Sequence, residues 1–145
     1  MKVSSTKTIR APRDELWELI VDPYHLPRWW PRVQRVEEVT DDAWTKVMMS
    51  SRGRAVRSDY TRVETEPPGR MVWRHEVEES PFERLLNESL IEIELEPEGD
   101  ERTRVRLTAD QSLRGKTRFG GMMVRRATKR NLDEALDGLK RAFGG

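Results

Sequence analysis

The sequence predicts an α+β fold: a seven-stranded, antiparallel, curved sheet wrapped around a long C-terminal helix, with two short helices between strands 1 and 2. Three observations lead there. Residues 33–113 alternate apolar and polar with a period of two, whereas residues 123–143 repeat their apolar positions at three- and four-residue steps. The strands follow one another through short turn signals, which makes the sheet antiparallel with one wet face. An apolar sheet face has to be covered, and the chain offers a single long helix to do it.

Taken in order, Val3 to Arg10 alternates and reads as the first strand. Ala11-Pro12-Arg13-Asp14-Glu15 reads as a helix start, because proline is tolerated at the first helical position and acids suit the positive end of the dipole. Leu16, Trp17, Ile20 and Val21 form its apolar stripe, and Asp22-Pro23 ends it. Asp22 can cap a second short turn through Tyr24, His25 and Leu26, closed by Pro27 and by Trp29-Trp30-Pro31. Strands follow near 33–40, 43–52, 55–66, 70–79, 83–96 and 102–113. Asp41-Asp42, Arg52-Gly53, Pro67-Pro68-Gly69 and Glu98-Gly99-Asp100 are the turns between most of them. Leu85, Asn87, Ser89, Ile91, Ile93 and Leu95 share one face of their strand, with Glu88, Glu92, Glu94 and Glu96 on the other. In the final helix Met123, Ala127, Leu132, Ala135, Leu136, Leu139, Ala142 and Phe143 form the apolar stripe. About 24 residues at ~1.5 Å each reach ~36 Å, enough to cross a whole sheet.

With 145 residues and no linker, repeat or low-complexity tract, the chain reads as one domain over 1–145. Charged residues reach 37% and hydrophobic ones only 35%, but five Trp and a net charge of +1 are not the signature of disorder. The core must be thin. Zero Cys excludes a disulfide framework, a thiol nucleophile and a thiolate metal site. The N-terminal residues alternate instead of forming a signal-like apolar run, and no run approaches the ~20 residues of a membrane span. The expectation is a cytoplasmic protein without stable membrane insertion.

Particular stretches carry a family likeness. They are Ile9-Arg10-Ala11-Pro12, Trp17-Glu18-Leu19-Ile20-Val21-Asp22-Pro23 and Leu26-Pro27-Arg28-Trp29-Trp30-Pro31. Pro67-Pro68-Gly69-Arg70-Met71-Val72-Trp73-Arg74 and the terminal run from Arg130-Asn131-Leu132 to Leu139-Lys140 complete the set. Over nearly its full length the chain resembles the START/Bet v-like superfamily, also called the SRPBCC or polyketide cyclase/dehydrase group. The resemblance implies a helix-grip fold with an internal, mostly apolar cavity, of the kind that holds lipids, sterols, quinones, plant hormones or polyketides. It brings no family-wide catalytic motif to carry over.

Polar residues on otherwise apolar strand faces are the main functional signal. Met71, Trp73, His75 and Val77 share a side of their strand, while Asn87, Ser89 and Gln111 stand among Ile, Leu and Val. Buried polar groups without partners cost about 1–3 kcal/mol, so these face one another, water or a ligand. On strand 55–66, Val56, Ser58 and Tyr60 are expected inward in preference to Arg57, Asp59, Thr61 and Val63, because an interior ion pair needs near-complete compensation. The resemblance implies that Trp29 and Trp30 fall at the cavity mouth, one as core and the other as a gate or a ligand-stacking surface. Met48-Met49, Met71 and Met122-Met123 suit irregular apolar volumes, as filler or as lining. The ligand-binding candidates are therefore Trp29, Trp30, Tyr60, Met71, Trp73, His75, Asn87, Ser89, Gln111 and Met123.

His75 and Tyr60 are the candidate acid–base groups, an unperturbed imidazole titrating at ~6.5. His25 sits in a Pro-bounded turn expected to be exposed, and neither histidine has a ligand neighbour at helical spacing, so no metal and no cofactor are expected. Gly115-Lys116-Thr117 imitates a phosphate loop, but Asp110 stands where its first glycine belongs. Glu76 to Glu101 is acidic and Arg114 to Arg141 basic, read as two solvated faces that attract each other. The covered apolar face argues against nucleic acid. Three functions stay open: binding of a small hydrophobic or amphipathic ligand (lipid, quinone or polyketide-like), a cyclase/dehydratase-type enzyme, and a partner-binding domain acting through its basic helix. A homodimer is left open as well.

Overall fold

The computed structural model describes residues 1–50, 52–77, 86–113 and 121–145, apart from the side chain of Asn87. Seven strands form one antiparallel sheet: β1 (Lys2–Ile9), β2 (Val33–Glu37), β3 (Ala43–Met49), β4 (Ala55–Glu66), β5 (Arg70–His75), β6 (Leu86–Pro97) and β7 (Thr103–Leu113). Their order is β1-β7-β6-β5-β4-β3-β2. Each of β2 to β7 pairs with its sequence neighbour, as the turn signals require, and β1 closes onto β7 from Lys2↔Asp110 to Ile9↔Thr103. The strands are shorter than expected at several ends: β2 stops at Glu37, β3 at Met49 and β5 at His75. The outer parts of the expected strands 70–79 and 83–96, at 78–79 and 83–85, lie outside the described residues, as does the Gly115-Lys116-Thr117 motif.

The two edge strands are consecutive in sequence, so the short helices must bridge the sheet's two edges. They are α1 (Arg13–Val21), a 3-10 turn (Pro23–His25) and α2 (Leu26–Trp29). Pro12 sits one residue earlier than expected, at the N-cap of α1, with Asp14 and Glu15 in the first turn. Asp22 caps the following turn through its carboxylate, which accepts the Tyr24 N–H at 3.0 Å. No basic residue of α1 itself faces its C-terminus; Arg62 of β4 does so instead, donating to the Val21 carbonyl at 2.6 Å.

The core lies between the concave sheet face and α3 (Gly121–Ala142). Only the C-terminal half of α3 is packed tightly: Leu132, Ala135, Leu136, Gly138 and Leu139 are buried. Each such leucine is worth about 1.5–3 kcal/mol of transfer free energy. Gly138 is required for close approach, because a Cβ there would overlap the backbone carbonyl of Trp29. The N-terminal half carries fewer anchors. Met123 belongs to the expected apolar stripe but is 76% exposed, and Met122 is 72% exposed.

The convex face is a charge ladder. Arg70 pairs with Glu64 and with Glu92 at 2.7 Å, and Arg104 pairs with Glu96 at 2.6 Å. The acidic β6 face is thus answered by arginines of the flanking strands β5 and β7, not by the basic helix. That helix makes its own pairs, Lys129–Asp133 at 3.1 Å, Lys7–Asp137 at 2.7 Å and Arg32–Glu134 at 3.0 Å. Neighbouring strands sit ~5 Å apart, so cross-strand charges meet before charges on separate layers can.

Candidate functional site: an aromatic cavity around Lys46

Between the N-terminal half of α3 and the concave sheet lies a cavity of about 320 Å³. It exists because α3 is pinned at its far end, by Gly138 against Trp29 and by the leucines, while Ala127 and Thr128 face the sheet with short side chains. The sheet contributes Lys46 and Met48 of β3, Ser58 and Tyr60 of β4, His75 of β5, Leu86, Ser89 and Ile91 of β6, and Ala109 and Gln111 of β7. Helix α3 contributes Ala127, Thr128, Asn131 and Leu132, and the α2–β2 connection contributes Trp30 and Arg32.

Most sequence candidates converge here. Tyr60, His75, Ser89, Gln111 and Trp30 line the cavity. Strand β4 presents Ser58 and Tyr60 inward, 1% and 8% exposed, with Arg57 and Asp59 on the exposed side. Trp29, Met71 and Trp73 are buried but lie outside the lining, in the aromatic layer beneath it. There Trp73 meets Trp44 edge-on at 5.3 Å, Trp30 at 5.8 Å and Trp29 at 6.2 Å. One tryptophan of the pair is core and the other is wall. Met123 does not line the cavity; its position on α3 falls beyond the end of the sheet-facing stripe, and it points to solvent. A register shift between Leu86 and Glu88 brings Leu86 into the lining, where strict alternation would place Leu85 and Asn87. Leu85 and the Asn87 side chain lie outside the described residues.

The polar inventory sorts into satisfied and unsatisfied groups. Gln111 Oε1 accepts from the Thr128 hydroxyl at 3.1 Å, and Arg32 donates to Asn131 and Glu134 at 3.0 Å each. Arg32 holds this rim position with a left-handed backbone, φ 62°, which is costly for a side chain other than glycine or asparagine. The Ser58 hydroxyl is buried with no hydrogen-bond partner among the described residues. His25 is not part of the lining and is half-buried rather than exposed, its Nδ1 3.1 Å from the Leu19 carbonyl. Among the described residues no cluster of His, Cys, Asp or Glu is arranged to hold a metal ion.

Lys46 is the residue the sequence candidates omit. Its side chain is 1% exposed, with Nζ 4.1 Å from the Tyr60 ring centroid and 4.6 Å from that of Trp30. Burial lowers its pKa from 10.5 to about 7. His75 stacks on Tyr60 at 4.8 Å and 10°. Burial first, and then the charge of Lys46, lower the His75 pKa to about 4, against a smaller opposing pull from Asp59. Burial pushes the Tyr60 phenol well up. At neutral pH the wall therefore presents a neutral imidazole, a protonated phenol and an amine poised between its two forms. The signal was present in the alternation Trp44-x-Lys46-x-Met48, which sets a lysine on an apolar face.

A sheet gripping a C-terminal helix, with a lined cavity between them, is the helix-grip architecture of START-type proteins. The model of the family described as polyketide cyclase / dehydrase and lipid transport matches residues 1–144, and the chain belongs to that family. Solved structures agree on the fold. A START superfamily protein from Mycobacterium smegmatis superposes with a TM-score of 0.82 at 12% identity, covering 98% of this chain and 96% of that one. The Zhui aromatase/cyclase from a Streptomyces species gives 0.74 at 21% identity, with 97% and 94% covered. The di-domain aromatase/cyclase BexL gives 0.82 at 22% identity; this chain is covered over 97%, but spans only 45% of BexL. No curated protein matches the sequence. Among the described residues no helix is long and apolar enough to cross a membrane.

Proposed function

We propose that the protein binds a small hydrophobic or amphipathic molecule (lipid, quinone or polyketide-like) in the cavity between sheet and α3. The observation that carries this reading is the space itself: about 320 Å³, with apolar walls from Trp30, Met48, Ile91 and Leu132 and polar groups from Lys46, Ser58, Tyr60, His75, Ser89 and Gln111. Ligand sites combine apolar walls with polar groups that fix orientation. Membership of a cyclase/dehydrase and lipid-transport family supports it. The test is a thermal-shift and native mass spectrometry screen with medium-chain fatty acids, naphthoquinones and naphthalene derivatives. A ligand present at 100 times its Kd stabilises by about 2.7 kcal/mol, a shift of several degrees. Ala109→Phe, which projects a ring into the cavity from β7, is expected to abolish that shift. A screen without a hit, or hits indifferent to Ala109→Phe, overturns the reading.

A second reading, proton transfer on a carbonyl substrate, has one specific observation in its favour. Tyr60 and His75 stand side by side on the wall, and at neutral pH burial keeps the phenol protonated and the imidazole neutral, the states that a proton donor and a proton acceptor need. Exchange of the α-protons of 2-acetylnaphthalene in deuterated buffer, followed by NMR, tests it. Acceleration by the wild type that disappears in both His75→Ala and Tyr60→Phe supports the pair; unchanged exchange in either variant removes that residue from the role.

A further inference from the structure

The cavity makes an electrostatic demand that its own lining leaves unmet. Lys46 Nζ rests against the faces of Trp30 and Tyr60, and among the described residues no carboxylate lies within ion-pair distance of it. The charged groups nearby are otherwise engaged. Arg32 on the α2–β2 connection is held by Glu134 and Asn131 of α3. Asp59 of β4 lies on the opposite sheet face, where it accepts from Thr45 at 2.6 Å. His75 of β5 is neutral above about pH 4 and Tyr60 of β4 keeps its proton, so neither balances a cation.

Lys46 also has a matched neighbour. Ser58 is its direct cross-strand partner, so both side chains leave the same face of the sheet a few ångströms apart. The Ser58 hydroxyl is 1% exposed and has no hydrogen-bond partner among the described residues. Among the described residues, an ammonium without a counter-ion stands beside a hydroxyl without an acceptor on the wall of a cavity that also offers Trp30, Ile91 and Leu132, a complementary surface for one kind of group. It must carry negative charge and accept two hydrogen bonds while its body remains apolar.

We propose that the cavity takes an amphipathic carboxylate, its apolar body against Trp30, Ile91 and Leu132 and its carboxylate on Lys46 Nζ and Ser58 Oγ. This rests on the cavity being a ligand site, and it names the charge class of that ligand. The anion stabilises the protonated amine, so binding at neutral pH takes up a proton. As pH rises above the resting pKa of Lys46, about 7, affinity falls by up to about tenfold per pH unit.

The test titrates wild type, Lys46→Met, Lys46→Arg and Ser58→Ala with 2-naphthoate and with 2-naphthamide, its neutral counterpart, from pH 6 to pH 9. Calorimetry in buffers of different ionisation enthalpy reads the proton uptake. For wild type at pH 6, naphthoate is expected to bind at least tenfold more tightly than naphthamide, with the advantage disappearing by pH 9. Lys46→Met is expected to keep naphthamide binding and lose the preference. Lys46→Arg keeps the preference without the alkaline decline, because a guanidinium stays charged throughout. Ser58→Ala weakens naphthoate several-fold with its pH dependence intact. Equal affinity for acid and amide in the wild type, or a preference that survives Lys46→Met, overturns the proposal while leaving the cavity a ligand site. Binding of neither probe overturns both.

Discussion

Replacing Lys46 by methionine should make the protein more stable, and more so in neutral than in alkaline solution. The magnitude follows from the depressed pKa. An ordinary lysine titrates at 10.5 and Lys46 at about 7; at about 1.36 kcal/mol per pH unit, keeping it protonated inside the fold costs on the order of 5 kcal/mol. The faces of Trp30 and Tyr60 offset about 1–2 kcal/mol of this. The folded pKa lies below the unfolded one, so between pH 7 and 10.5 the unfolded chain binds more protons. Wild-type stability from this group therefore rises with pH across that window, and the penalty is fully present below pH 7. Lys46→Met keeps the volume and the apolar contacts while removing the charge. Urea titrations of both proteins at pH 6.5, 8 and 9.5 measure the difference, which should be about 3 kcal/mol in favour of Lys46→Met at pH 6.5 and fall to about 1 kcal/mol by pH 9.5, one unit below the ordinary lysine value. A difference independent of pH, or a wild type more stable than Lys46→Met at pH 6.5, would refute the reasoning.

Acid should destabilise the fold through His75, which takes up its proton at a lower pH than an exposed imidazole does. Its pKa of about 4, against an ordinary 6.5, removes about 3 kcal/mol of stability as pH falls from 6.5 through 4, and His75→Gln abolishes that loss in urea titrations at pH 7 and pH 4.5. Because Lys46 contributes to the depression, Lys46→Met should raise the His75 pKa, read from its imidazole NMR shifts; an unmoved value would place the two groups too far apart to interact. Gly138→Ala should cost about 2–3 kcal/mol by thermal or urea unfolding, although alanine is intrinsically the better helix former by about 1 kcal/mol, because the new Cβ meets the Trp29 backbone. Gly121→Ala, whose Cβ would find among the described residues only Leu113 Cδ1 at 4.0 Å, is the control and should stay within about 0.5 kcal/mol. Asp133→Asn should weaken the tie between β1 and α3 by about 1 kcal/mol or less, because Ser5 and Lys129, which hold that carboxylate below its usual pKa, lose their anion on a half-exposed surface.

What the residue order determined is the architecture and the facing of side chains. A period of two divides β4 into an inner set, Ser58 and Tyr60, and an outer set, Arg57 and Asp59, and the hydrophobic effect decides which set goes inside. The same logic makes His75, Ser89 and Gln111 inward and α3 a cover for the concave face. Periodicity says which side a residue takes; it is silent on how far away the opposite layer stands. That distance was decided by tertiary packing, where Gly138 lets α3 close on Trp29 at one end and Ala127 and Thr128 leave it clear of the sheet at the other. It is why Met71 and Trp73 became packed core while Tyr60 and His75, from the next positions around the curve, became cavity wall, and why Met123 reached solvent. The significance of Lys46 belongs to the same level. A lysine on a strand is ordinarily read as wet, and only the assembly of β3, β4 and the α2–β2 connection closes two aromatic faces over it with no carboxylate of the described residues in reach, turning an unremarkable residue into a buried titratable group of the cavity.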